Sequence, residues 1–290
     1  MAKKGRSSDF LKYFWSLAED NASSRTTATD AILKHLLQSS SSPELQENED
    51  LDYAVKRLVK GLCSSRSSAR LGFSTCLTCL LQSIPPARLP LSEVLKLSDE
   101  STRMSGSMKG IDERELMFGK LFCYLSIIQS GRLQISSPSS TENQCLDILD
   151  RIIELHNMRG WIKEVTVESM LLFTYSHCAS PSSILTKLEP LLADPVEDLS
   201  AWQIMLLLGI QPFLITHKLS PSEDMASLDL LQHPKTHLDM ISTTLLAATA
   251  GFPKIHRVWD FIIGQIFPLQ ADRQLPIVRY CTHSCYLLTY

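Results

Sequence analysis

Residues that force sharp turns are scarce in this chain: 11 glycines and 14 prolines among 290 residues leave few obligatory reversals. Asn-Gly and Asp-Gly pairs are missing, and no stretch alternates apolar and polar residues for long, so β-hairpins and half-buried strands lack support. Charge of one sign is also lacking. A formal net charge of -3 excludes a uniformly basic surface, and any nucleic-acid site must be a local patch. The most apolar run, Met205 to Ile210, meets Gln211 and Pro212 far short of the roughly 20 residues a membrane span needs, so no membrane segment is expected. Met1 to Arg6 is basic, but Asp9 follows without a signal-like apolar stretch, which speaks against secretion. Nucleophile elbows, phosphate-binding glycine loops and dinucleotide fingerprints do not occur.

What remains is helical. Leu51, Ala54, Val55, Leu58 and Leu62 recur at helix spacing with Lys56, Arg57 and Lys60 opposite them. Ala69 to Ile84 and Leu116 to Ile128 are apolar on nearly all sides, the mark of buried helices. Further helices are predicted over Phe10–Leu17, Thr26–Leu37, Leu91–Leu97, Trp161–Cys178, Ile184–Leu192, Lys235–Thr249 and Val258–Ile266. Thr141 with Gln144, Ser200 with Gln203, and Ser220 with Pro221 and Glu223 have helix-start spacing. The class is all-α. Amphipathic helices alternating with apolar ones across short Ser, Pro or Gly breaks suggest an armadillo or HEAT-like solenoid, with a multi-helix bundle as the alternative. We divide the chain into a basic tail (1–8), a helical-repeat region (9–268) and a divergent segment (269–290), the last expected to be a truncated end because a solenoid should finish in a polar cap.

The pieces that carry a resemblance are FLKYFWSLA from Phe10, LDYAVKRLVKGL from Leu51 to Leu62, SSRSSARLGF from Ser64 to Phe73, MFGKLFCYLSIIQSGRL from Met117 to Leu133, and HRVWDFII from His256 to Ile263. In that order they resemble the nucleolar DNA polymerase phi family, which includes the Myb-binding proteins. The resemblance implies an armadillo-type fold and a nuclear, mainly nucleolar location. It further implies association with ribosomal DNA or RNA, and with transcription factors or ribosome-assembly proteins, in support of ribosomal RNA synthesis and transcription control. Family members are typically longer and usually carry an acidic stretch and a basic tail that this sequence lacks. The family name raises DNA polymerase activity as a competing reading, and a pure protein-interaction scaffold is a third.

The candidate nucleic-acid surface is Lys56, Arg57, Lys60, Arg66 and Arg70, several cations on one helix face, the next turn and the following helix start. No aromatic residue is interleaved among them, which argues against a grip on single strands. A polymerase needs grouped carboxylates for two metal ions. Asp50 and Asp52 read instead as helix-start charges, and Asp147 with Asp150 as a pair on one helix. Most of the eight cysteines fall in apolar runs, as reduced buried thiols do; Cys76 and Cys79 form a C-x-x-C read as core packing. Cys281, His283 and Cys285 lack an evident fourth ligand, and the scattered histidines, including His156, His233 and His237, read as surface residues. No catalytic residue, metal, cofactor or small-molecule substrate is expected.

Overall fold

The computed structural model describes residues 8–38, 44–106, 108, 110–134, 138–176, 178–195, 198–219 and 234–247. These residues form eleven α-helices and no strand, the all-α class expected from the scarcity of turns. The chain divides into two compact units, whose described parts are 8–134 and 138–247.

The first unit holds α1 (Ser8–Ser16), α2 (Ala22–Gln38), α3 (Glu44–Gly61), α4 (Ser67–Ser83), α5 (Leu91–Ser101) and α6 (Gly110–Gln129), followed by a 3-10 turn at Arg132–Gln134. Successive helices pair as α1 with α2, α3 with α4 and α5 with α6. Between pairs, α2 touches α4 and α4 touches α6, while α3 lies beside α5. Helix α4 is thus enclosed by α2, α3 and α6, and it buries Phe73, Cys76, Leu77, Leu80 and Leu81. Each such side chain contributes about 1.5–3 kcal/mol of transfer free energy, which explains why a helix in this position must be apolar on most faces. Helix α6 is built the same way around Met117, Leu121, Phe122 and Leu125.

Several boundaries move from their expected places for local reasons. Helix α3 starts at Glu44 because its first turns, ELQENED, are polar and give periodicity nothing to register. Asp50 is therefore mid-helix, not a helix-start charge. Helix α2 starts earlier than Thr26 because Asn21 Oδ1 accepts the Ser23 amide at 2.8 Å, a cap the apolar pattern does not show.

The second unit contains α7 (Pro138–Met158), a 3-10 turn (Gly160–Ile162), α8 (Lys163–Thr174), α9 (Pro181–Leu188), a 3-10 turn (Glu189–Leu192), α10 (Ala201–His217) and α11 (Pro234–Ala247). Helix α8 packs between α7 and α10, α9 lies on α7, and α11 lies on α10. The Thr141 start is corrected: α7 begins at Pro138, whose fixed φ suits a first helical turn. The Ser200 start is seen as expected, with Gln203 Oε1 accepting the Ser200 amide at 2.9 Å. Gln203 Nε2 also donates to the Leu191 carbonyl at 3.0 Å and to Asp194 Oδ2 at 2.6 Å, tying α10 to the preceding turn. No helix among the described residues is long and apolar enough to cross a membrane. The Ser220 start, the Val258–Ile266 helix and the divergent 269–290 segment lie outside the described residues.

Candidate nucleic-acid interface

Helix α3 buries Leu51, Ala54, Val55, Leu58 and Leu62. That stripe puts Lys56 and Lys60 on the exposed side and leaves Arg57 half-buried at its edge. All three fall in the last two turns, where the negative end of the helix dipole favours cations. Arg66 is exposed in the turn after α3, and its Nη2 donates to the Ala18 carbonyl at 2.6 Å, just beyond α1.

Arg70 belongs elsewhere. It is only 5% exposed, and Nη1 donates to the Ser64 carbonyl at 2.6 Å. Its guanidinium carbon lies 5.2 Å and 5.9 Å from the ring centres of Phe118 and Phe122 on α6. Burial, then repulsion from Arg114, pulls its pKa below the usual guanidinium value. Arg70 thus fastens the α3–α4 turn to α6, and a phosphate could reach it only by unpacking that joint. The five cations divide into four at the surface and one inside.

The structure adds a residue that the sequence reading passed over. The Trp15 ring lies 5.6 Å from the Arg57 guanidinium carbon, and the side chain is 71% exposed. Phe10, Phe14 and Leu17 are the buried stripe of α1, which places Trp15 off that stripe. A large aromatic outside the apolar face was the available signal, but its partner comes from a helix distant in sequence. No aromatic is interleaved with the basic residues in sequence, yet α1 brings one beside them in space.

The patch has an acidic shoulder. Glu49, Asp52, Tyr53 and Lys56 border a shallow open depression on α3, so the helix face passes from acidic to basic toward its C-terminal end. Asp50, at 8% exposure, meets His35 Nε2 at 3.0 Å, and His35 stacks on Phe10 at 4.1 Å between ring centres. Asp147 pairs with Arg151 at 2.9 Å and Asp150 with Lys187 at 2.8 Å. Of the carboxylates considered for metal ions, Asp50, Asp147 and Asp150 thus have separate basic partners, and Asp52 is exposed beside the depression.

Among the thiols, Cys76 is fully buried on α4, and desolvation pushes it up to about 12. Cys79, on the same helix, is half-buried and also raised, first by desolvation. His156 corrects the surface reading of the histidines. It is 0% exposed, with Nδ1 2.8 Å from Thr166 Oγ1 and its ring edge-on to Trp202 at 4.3 Å. Burial, followed by the charge of Lys163, lowers its pKa to about 4. Among the described residues, no three or more His, Cys, Asp or Glu side chains cluster closely enough to hold a metal ion. His233, Cys281, His283 and Cys285 lie outside them.

The described chain is thus made of packed helix pairs, one of which carries a cationic patch edged by an aromatic ring. Residues 53–277 match the family model of DNA polymerase phi, and the chain belongs to that family. It is 34% identical to the rDNA transcriptional regulator pol5 of Schizosaccharomyces pombe over 141 residues, 49% of this chain and 14% of that protein. It is 34% identical to the rDNA transcriptional regulator POL5 of Saccharomyces cerevisiae over 172 residues, 52% of this chain and 16% of that one. Human Myb-binding protein 1A is 35% identical over 127 residues, 44% of this chain and 9% of that protein. The chain thus spans a small fraction of the length of these relatives. No solved structure matches it.

Proposed function

We propose that this chain is a non-enzymatic, armadillo-type helical scaffold of the nucleus, mainly the nucleolus. It associates with ribosomal DNA or RNA and with transcription or ribosome-assembly proteins, in support of ribosomal RNA synthesis and transcription regulation. The observation that carries the reading is the surface group Lys56, Arg57, Lys60 and Arg66, held at the end of α3 and the turn after it by a buried stripe and by Arg70. Cations placed there neutralise phosphates and release counterions, which gives affinity without sequence preference. The names of the pol5 relatives support the ribosomal DNA connection, and that of Myb-binding protein 1A the connection to a transcription factor. The solenoid reading is supported by the alternation in the first unit, where α2, α4 and α6 follow one another beside α3 and α5, and by the second, where α8 follows onto α10 and α7 onto α9. The scaffold reading is preferred to polymerase activity because Asp50, Asp147 and Asp150 are each engaged by a different basic side chain.

The test is titration of labelled duplex DNA and structured RNA with the full 290-residue chain at several salt concentrations, beside a variant carrying Lys56→Glu, Arg57→Glu and Lys60→Glu. Arg70 is left intact so that the fold is not at issue. Binding that weakens steeply with salt and disappears in the variant is the expected result. Equal binding by both proteins would remove nucleic-acid contact from this surface and leave protein partners as the scaffold's ligands.

A further inference from the structure

A tryptophan that is 71% exposed, on a helix that buries Phe10 and Phe14 and half-buries Tyr13, contributes little to packing its own unit. Its position is nevertheless well determined. Ala18 N–H donates to the Trp15 carbonyl at 3.0 Å, and the Ala18 carbonyl in turn accepts from Arg66 Nη2. Gly72 on α4 lets the end of α1 approach closely, since a Cβ there would collide with the Leu17 carbonyl. The indole therefore sits on a fixed base, with the Arg57 guanidinium beside it and Lys60 three residues further along α3. Opposing charge comes from exposed Glu19 and Asp20 after α1 and from Glu49 and Asp52 earlier on α3, so an anionic chain would approach over the C-terminal end of α3, where Arg57 and Lys60 lie.

We infer that Trp15 is a stacking platform for an unpaired nucleobase, with Arg57, Lys60 and Arg66 gripping the flanking phosphates, so that the preferred ligand is single-stranded RNA or DNA. This inference rests on the nucleic-acid reading of the same surface and narrows it. A duplex keeps its base faces stacked inside, where an indole on a rigid helix cannot reach them. An unpaired base offers a π face to any aromatic ring, and an arginine beside that ring adds a cation–π contact. Tryptophan and arginine also anchor protein interfaces, but the surrounding cations Lys56, Lys60 and Arg66 favour a polyanion over an apolar partner surface.

The probes are an unstructured pyrimidine oligonucleotide of about ten nucleotides, as RNA and as DNA, and a duplex of the same length. Each is titrated by fluorescence anisotropy into the full chain and into Trp15→Ala and Trp15→Tyr variants, with helicity checked by circular dichroism. Trp15→Ala is expected to weaken single-strand binding about tenfold or more, the weight of one stacked base, while duplex affinity stays within about twofold. Its salt slope should not change, because the phosphate contacts remain. Trp15→Tyr should retain most of the single-strand affinity, which would exclude a folding defect as the cause. RNA bound more tightly than DNA would assign the ligand to RNA, and equal binding to unpaired bases of either kind. Single-strand binding unaffected by Trp15→Ala overturns the inference, as does tighter binding of the duplex, and both leave the nucleic-acid reading standing. Failure of the wild-type chain to bind any probe overturns both.

Discussion

The two units solve the same problem, sealing the ends of packed helices, with different chemistry. In the 8–134 unit, arginines do it. Arg66 donates to the carbonyl of Ala18, Arg70 to that of Ser64, and Arg132 to those of Leu81 and Ile84 at the end of α4. In the 138–247 unit, several joints use neutral groups: His156 with Thr166, the Tyr175 hydroxyl with the Gly209 carbonyl, and Gln203 with the Leu191 carbonyl. A guanidinium keeps its charge across the physiological range, whereas an imidazole does not. The difference therefore puts guanidinium joints that keep their charge in one unit, and a fully buried imidazole at a helix joint in the other.

The sharpest way to break this comparison is to remove a buried arginine. Arg132 is 5% exposed and its Nε donates to the Leu81 carbonyl at 2.7 Å. Arg132→Ala should cost the first unit about 3 kcal/mol, by leaving charge-assisted bonds at the end of α4 unmade. Urea melts followed by hydrogen exchange in α4 and α6 would read it, and a loss confined to the second unit would contradict the assignment.

Acid should act next most strongly, and on the second unit. Above pH 6.5 His156 is neutral in both folded and unfolded chains; between 6.5 and about 4 only the unfolded chain takes the proton, so stability falls as pH falls. Below about 4 both forms carry it and this contribution levels off. The loss amounts to about 2–3 kcal/mol. Exchange protection in α7 and α8 measured between pH 7 and 4 should follow this course in the wild type and flatten in His156→Phe. A neutral joint should cost least. Tyr175→Phe removes the hydroxyl that donates to the Gly209 carbonyl at 2.8 Å and should destabilise by about 1 kcal/mol, visible as a small shift in urea midpoint.

How much of this was legible beforehand depended on how far apart the cooperating residues lie. Helices α4, α6 and α10 announce themselves because enclosure on several sides demands apolar residues all round. Lys56, Arg57 and Lys60 were readable as an outer face from the stripe opposite them. Arg70 was not, because its burial is decided by Phe118 and Phe122 on a helix two elements later, and nothing local separates it from exposed Arg66. Trp15 was overlooked for the mirror-image reason: its exposure could be read from α1, but its partnership with Arg57 is a tertiary fact. His156 carries polar character inside an apolar stripe, and only the appearance of Thr166 beside it shows how that is accommodated.

Phosphate contact by the surface lysines of α3 is what the proposed nucleic-acid role requires first. The direct measurement is the slope of log affinity against log salt for wild type, for Lys56→Gln with Lys60→Gln, and for a control Lys187→Gln in the other unit. Two lost phosphate contacts should reduce the slope by about 1.8 on a duplex and about 1.4 on a single strand, with the control indistinguishable from wild type. Identical slopes for all three proteins would contradict the claim and take nucleic acid off this face.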